Sequence, residues 1–214
     1  MSIESYNQKH GKTFEDLFKS AYPGSSDNKR SNTADFDIEG KFNKEGEYLP
    51  ISIKTTKSDS ISLSDARRFF KCEGPYYMLI GIYEQNGKKK ILNKIYEIKL
   101  TKDFLKKIKG QLDYDIVKEY HDKICSFKKG YHKEARELAK DHKKKLGKEY
   151  SSLIKLNPKI DSKSQRRLQC SVSLNELLKQ IDTQNVIIYT EEFKNLGLPL
   201  TIISSPRKLK SNEQ

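Results

Sequence analysis

Two short stretches of this chain carry residues whose types and spacing suit metal-assisted phosphodiester hydrolysis. Asp35 and Asp37 lie two apart in TADFDIEG, and Ser52 and Lys54 lie two apart in YLPISIKTTK. On an extended chain a spacing of two puts both side chains on one face. Neighbouring strands decorated in this way would set carboxylates against a hydroxyl and an ammonium. Carboxylate oxygens suit a hard divalent cation such as Mg2+, which acidifies a bound water and neutralises charge developing on a phosphate. A lysine beside them orients that water or stabilises the transition state. Asp35 and Asp37 share a face, so the choice of principal ligand stays open. Taken singly, each of these residues has a plainer reading as part of a solvated strand face.

The elements that must position them follow from periodicity. Residues 34–42 alternate, with Asp35, Asp37 and Glu39 on one face and Phe36 and Ile38 on the other, which predicts a half-buried strand. A Gly-containing turn at 43–47 and a strand over 48–55 complete a hairpin, irregular near Pro50. The unbroken apolar run 76–84 predicts a central strand buried on both faces, followed by an Asn86-Gly87 turn and a strand over 89–99. Ile3, Tyr6, Phe14, Leu17 and Phe18 recur at helical spacing over 3–20, and 22–33 has loop composition. Ser62 with Asp65 reads as a capping box for a helix through Lys71. Thr101 caps a Lys-rich helix, and 113–127 and 131–146 continue as helices. The stretch 150–172 predicts a strand pair or ribbon, Ser173 and Glu176 cap a helix over 174–181, 185–190 is a strand, and the last ten residues are a frayed tail.

The strand pair resembles the PD-(D/E)xK nucleases, in particular type II restriction endonucleases whose second strand carries Ser-x-Lys. Asp35 matches the family's first aspartate, Asp37 is the alternative one pleat on, and Lys54 matches its lysine. Ser52 stands where an acid is usual. In HGKTFEDLF, Glu15 matches a helix glutamate that approaches the metal in many nucleases of this fold. The resemblance covers about residues 10–60, with fold-level agreement to about 100. It implies Mg2+ held by Asp35 or Asp37, Glu15 and the Ile53 carbonyl, and sequence-specific cleavage of double-stranded DNA by a homodimer. It also implies an α+β fold in one domain, residues 1–214. A restriction-endonuclease-like core over about 1–100 and 170–205, a mixed sheet flanked by helices, would carry a basic DNA-binding segment at 101–170.

Charge supports a polyanionic partner. The chain has 42 Lys and Arg against 29 Asp and Glu, a net +13 over 214 residues. Residues 101–170 hold 20 basic and 10 acidic side chains, so most of the excess lies there. Within that segment Lys159, Ser162, Lys163, Gln165, Arg166, Arg167 and Gln169 are the candidates for DNA contact. Arg bridges guanine O6 and N7, Gln bridges adenine N6 and N7, and Lys and Ser take phosphates. The lysines at 128–129 and 143–145, with Arg67, Arg68 and Lys71, could line a backbone groove. Cys72, Cys125 and Cys170 lack the spacing of a zinc site and read as reduced packing residues. His132 and His142 read as helix-surface residues, and no histidine pair has metal-ligand spacing. No apolar run is long enough to span a membrane and the N-terminus lacks a signal-peptide core, which predicts a cytoplasmic protein. A junction resolvase or repair nuclease would share the metal site. A non-catalytic nucleic-acid-binding protein explains the charge but not the acid and lysine pattern.

Overall fold

The structure, a computed structural model, describes residues 16, 36–42, 48–86, 89–163, 165–189 and 201–202. The expected helix over 3–20 lies outside these apart from Asp16, which is helical. The loop at 22–33, the 43–47 turn and the C-terminal tail also lie outside them. Strands in chain order are β1 (Ile38–Phe42), β2 (Tyr48–Thr56), β3 (Ser60–Asp65), β4 (Tyr76–Asn86), β5 (Lys89–Leu100), β6 (Lys155–Ile160), β7 (Arg166–Ser173), β8 (Val186–Tyr189) and β9 (Thr201–Ile202). Helices are α1 (Ala66–Lys71), α2 (Lys102–Lys109), α3 (Tyr114–Cys125), α4 (His132–Glu149) and α5 (Leu174–Gln180). The arrangement is α+β, with two separate and mostly antiparallel sheets. Two compact units divide the chain. The first holds the described residues up to Ser58, Pro75–Leu100 and those from Asp182 on; the second holds Asp59–Gly74 and Thr101–Ile181. The five α-helices just named belong to the second.

In the first unit the sheet order is β1-β2-β4-β5-β8, with β9 also on β5. The apolar run makes β4 the central strand, and Tyr76 to Ile80 are all buried, with Leu79 and Ile80 fully so. Burying one such aliphatic side chain stabilises by about 1.5–3 kcal/mol. β2 runs parallel to β4, from Ile51 opposite Tyr77 to Thr56 opposite Ile82. A parallel pair requires a crossover, and the chain from Lys57 to Pro75 supplies it. β5 returns antiparallel on the other side of β4.

β1 and β2 form the expected antiparallel pair, but β1 begins at Ile38 rather than at 34. Phe36 and Asp37 precede it, and Phe36 packs its ring 5.2 Å from that of Tyr76. The register slips between Ile38 and Lys41, whose partners are Ile51 and Leu49. Pro50 lies between those partners and has no N–H to give, which accounts for the irregularity.

The second unit carries the sheet β3-β7-β6, antiparallel throughout. The capping box expected at Ser62 is not formed. Ser62 sits within β3, and the cap of α1 is Asp65, whose Oδ1 accepts from Arg68 N at 3.0 Å. The alternation of SISLSD prevails because β7, more than 100 residues on in sequence, offers a partner strand. β3 slips register between Ser62 and Ser64, where Ser64 takes φ 72°. Thr101 and Ser173 do cap their helices, accepting from Phe104 N and Glu176 N at 3.2 Å each. Asp59 adds a second acceptor at the start of α5, from Asn175 N at 2.7 Å.

Val117, Tyr120 and Ile124 of α3 are fully buried, as are Leu168, Cys170 and Val172 of β7, and α3 packs on β7. Lys109 of α2 reaches the end of α1, donating to the carbonyls of Phe70 (3.1 Å) and Cys72 (2.6 Å). Gly110 ends α2 with φ 60°, and a Cβ there would collide with the Ser151 carbonyl, which accepts from Gln111 N. β6 is an edge strand containing Pro158, and Arg136 of α4 donates twice to the Ile160 carbonyl, at 3.2 and 3.0 Å. No described helix is long and apolar enough to cross a membrane.

Candidate active site

Three donors converge on one carboxylate oxygen in the first unit. Asp37 Oδ2 accepts from the Ile53 backbone N–H at 2.6 Å and from Ser52 Oγ at 3.3 Å, and Lys54 Nζ lies 3.7 Å from the same oxygen. The cause is the end of β1. Asp37 N donates to the Ile51 carbonyl at 3.0 Å, the last backbone link on that side of β2 among the described residues. One step further along β2 the Ile53 N–H takes the Asp37 side chain as its acceptor in place of a β1 carbonyl. Ser52 and Lys54 share a strand face as expected from their spacing. Ser52 is buried, whereas the side chains of Asp37 and Lys54 are 29% and 19% exposed.

Asp37, Ser52 and Lys54 therefore meet, but not by the shared strand face that their spacing predicts for Asp37. Asp37 does not stand on a strand face. It precedes the strand and bonds sideways to β2. Asp35 and Glu15 lie outside the described residues.

The atoms in this corner able to ligate a cation are all oxygen: the Asp37 carboxylate, the Ser52 hydroxyl and backbone carbonyls. Within a strand a residue's N–H and C=O point to the same side, so the Ile53 carbonyl shares the edge on which its N–H meets Asp37. Among the described residues no group donates to Asp37 Oδ1. Oxygen donors with one carboxylate fit a hard divalent cation that keeps several waters. No cluster of three or more His, Cys, Asp or Glu with metal-binding geometry occurs among the described residues.

The candidates for DNA contact separate into three groups. Lys159, Arg167 and Gln169 lie in the β6–β7 ladder, with Lys159 directly opposite Arg167 and Asn157 opposite Gln169. Ser162, Lys163 and Gln165 are exposed at the hairpin tip, where Asp161 Oδ1 accepts from Lys163 N and Gln165 N. Arg166 points into the hairpin, with Nη1 donating to the carbonyls of Asp161 (2.7 Å) and Gln165 (2.8 Å). Its Nε and Nη2 are buried with no acceptor among the described residues, unlike the exposed Arg167.

Cys72, Cys125 and Cys170 are all free thiols. Cys170 is buried as expected, but Cys125 is exposed and lies 3.4 Å from His121 Nε2, while His121 Nδ1 lies 3.3 Å from Asp122. The i, i+4 spacing of His121 and Cys125 on one helix was the sequence signal for this contact. Desolvation pushes the thiol pKa up, against the pull of Arg67 and Arg166, so the group is held as the poorly nucleophilic thiol. His132 and His142 are half-buried rather than on the surface. The ring of His142 packs 4.7 Å from that of Tyr120, and burial lowers its pKa.

No protein-family model matches the chain, and neither the curated proteins nor the solved structures contain a match.

Proposed function

We propose that the protein is a Mg2+-dependent endonuclease of the PD-(D/E)xK kind, cutting double-stranded DNA at a short specific sequence in the cytoplasm. The observation that carries this reading is the meeting of Asp37, Ser52 and Lys54 beside the Ile53 peptide unit. In this reading the first unit's sheet belongs to a restriction-endonuclease-like core. Asp37, Ser52 and the Ile53 carbonyl hold the cation, with Asp35 and Glu15 as the further carboxylates that the weak Ser52 ligand calls for. When bound, Mg2+ supplies an acidified water and neutralises charge at the scissile phosphate. Lys54 holds the attacking water or a phosphate oxygen in line, and its tie to Asp37 fixes the direction of its long side chain. Ser52 and the Ile53 N–H fix the Asp37 carboxylate, so its second oxygen is aimed without further ordering.

The test is incubation with plasmid and Mg2+. Discrete fragments support restriction-type cleavage, and nicking confined to branched DNA points to a resolvase. A two-fold dimer is expected, because a palindrome presents two equivalent strands to two identical sites. Sedimentation on cleavable DNA measures it.

A second reading is favoured by one observation. Asp37 accepts from the Ile53 N–H as a β1 carbonyl would, a structural role it can fill in a non-catalytic DNA-binding protein. Binding without cleavage in Mg2+, Mn2+ and Co2+ would establish that reading and remove the first.

A further inference from the structure

The ribbon of β6 and β7 has one apolar and one polar face. Leu156, Leu168 and Cys170 are buried on the apolar side. Residues directly opposed in an antiparallel pair share a face, so the other side carries Lys155 with Ser171, Asn157 with Gln169, and Lys159 with Arg167. Ser62 of β3 continues the row beside Ser171. Lys155, Lys159, Arg167 and Ser62 are exposed.

One feature of this face is unfavourable in isolation. Lys159 and Arg167 are like charges directly across from each other, a pairing that destabilises a sheet unless an anion lies between them. The carboxylate in register on the neighbouring strand, Asp65 opposite Gln169, gives Oδ1 to the cap of α1. Asn157 is already committed, donating to Ser171 Oγ (2.8 Å) and the Lys155 carbonyl (3.1 Å) and accepting from Lys143 of α4 (3.3 Å). The Gln169 side chain, across from it, makes no hydrogen bond among the described residues. The face thus offers an amide and a guanidinium one strand pleat apart, flanked by ammonium groups.

We propose that this face enters the major groove of duplex DNA, with Arg167 and Gln169 on base edges, Lys155 and Lys159 on phosphates, and Asn157 as the positioning residue that holds the ribbon to α4. Beyond Gln169 the β6–β7 pair runs on past the end of β3, and such a two-stranded end fits a groove about 12 Å wide; Arg and Gln are the side chains that pair bidentately with guanine and adenine. Neighbouring charge agrees: the second unit holds 24 Lys and Arg against 14 Asp and Glu, a net +10, while the rest of the chain is at +3. The proposal takes DNA as the polymer from the function proposed above and is otherwise independent of cleavage.

The experiment is fluorescence anisotropy with the full chain, a labelled duplex of about 20 base pairs with a randomised centre, and EDTA, so that catalysis plays no part. K159Q/R167Q is expected to weaken binding about tenfold or more and to flatten the dependence of log affinity on log salt by about one to two contacts' worth. K118Q/K123Q, which removes the same charge from exposed positions of α3, is expected to stay within about twofold. Equal losses in the two double variants, no loss in the first, or absence of wild-type binding with uptake onto anionic lipid vesicles instead, each overturns the proposal. Sequences selected from the randomised pool by Q169A are expected to lose preference at one or two positions. Recovery of the wild-type sequences by that variant removes Gln169 as a reader. Cleavage by the wild type, measured separately in Mg2+, decides the nuclease reading whatever these outcomes are.

Discussion

The two hairpin pairs treat charge in opposite ways. Where β1 gives way beside β2, Lys54 lies against Asp37, and the carboxylate is further held by a backbone N–H and a hydroxyl. In β6–β7, Lys159 faces Arg167, and among the described residues neither is paired with an acid. The first arrangement answers its own charges and fixes side chains in place, as a reacting centre requires. The second leaves charge unanswered, as a surface built to receive a polyanion does. Preorganisation and local frustration are thus separated in sequence by about 100 residues, and different variants should break each.

The largest expected effect is on the first pair. Lys54→Ala and Asp37→Asn should each lower plasmid cleavage by about 10²–10³-fold or more, since each removes a charged group from the site of developing charge. Unchanged cleavage rates in both would end the active-site reading. Asp37→Asn keeps an acceptor for the Ile53 N–H, whereas Asp37→Ala does not. Urea unfolding should therefore show a loss of about 1–3 kcal/mol for the alanine variant and a smaller one for asparagine.

Next in size are the cores beneath the pairs. Ile80→Ala in β4 and Leu168→Ala in β7 each remove a fully buried aliphatic side chain, and each should cost about 2–5 kcal/mol by denaturant titration. A loss below about 1 kcal/mol in either would mean that its sheet is not packed as described.

A pH scan sharpens the contrast further. Asp59 has its pKa lowered from 3.8 chiefly by the Ser173 hydroxyl and then by the Asn175 N–H. A carboxylate depressed on folding contributes stability that is fully present above its unfolded value, near 3.8, and is lost as pH falls through the lower folded value. The wild type should thus lose helix content more steeply below pH 3.8 than Asp59→Asn does, read by circular dichroism. Parallel curves would refute the assignment.

The smallest effect runs the other way. Arg167→Thr relieves the like-charge pair and should stabilise the free protein by about 0.2–1 kcal/mol, measured as a rise in Tm, even as DNA binding weakens. A fall in Tm would show that the pair is already neutralised within the chain.

Legibility in the sequence followed the range of the interactions. β4, the helix caps at Thr101 and Ser173, and the ribbon are stated by local patterns, and all three form as read. β3 was misread because Ser62 and Asp65 imitate a capping box, while its real partner, β7, lies far along the chain. The nearness of Asp37, Ser52 and Lys54 was legible from pleat arithmetic. That Asp37 stands ahead of β1 was not, because where a strand ends depends on its ladder partner and on Pro50 interrupting the register. Arg166 and Arg167 are adjacent and chemically alike in sequence. Only the hairpin's register turns one inward to Asp161 and leaves the other exposed.

The outer margin of β6 bears on whether this basic protein can recruit further copies of itself. An unguarded sheet margin is a template on which another chain can add a strand and start a fibril. Here Pro158 offers no donor to an incoming strand, and Arg136 already occupies the Ile160 carbonyl with two hydrogen bonds. A recruiting strand would find its ladder interrupted at both places, so the element that presents the polar face is also guarded against self-templated aggregation.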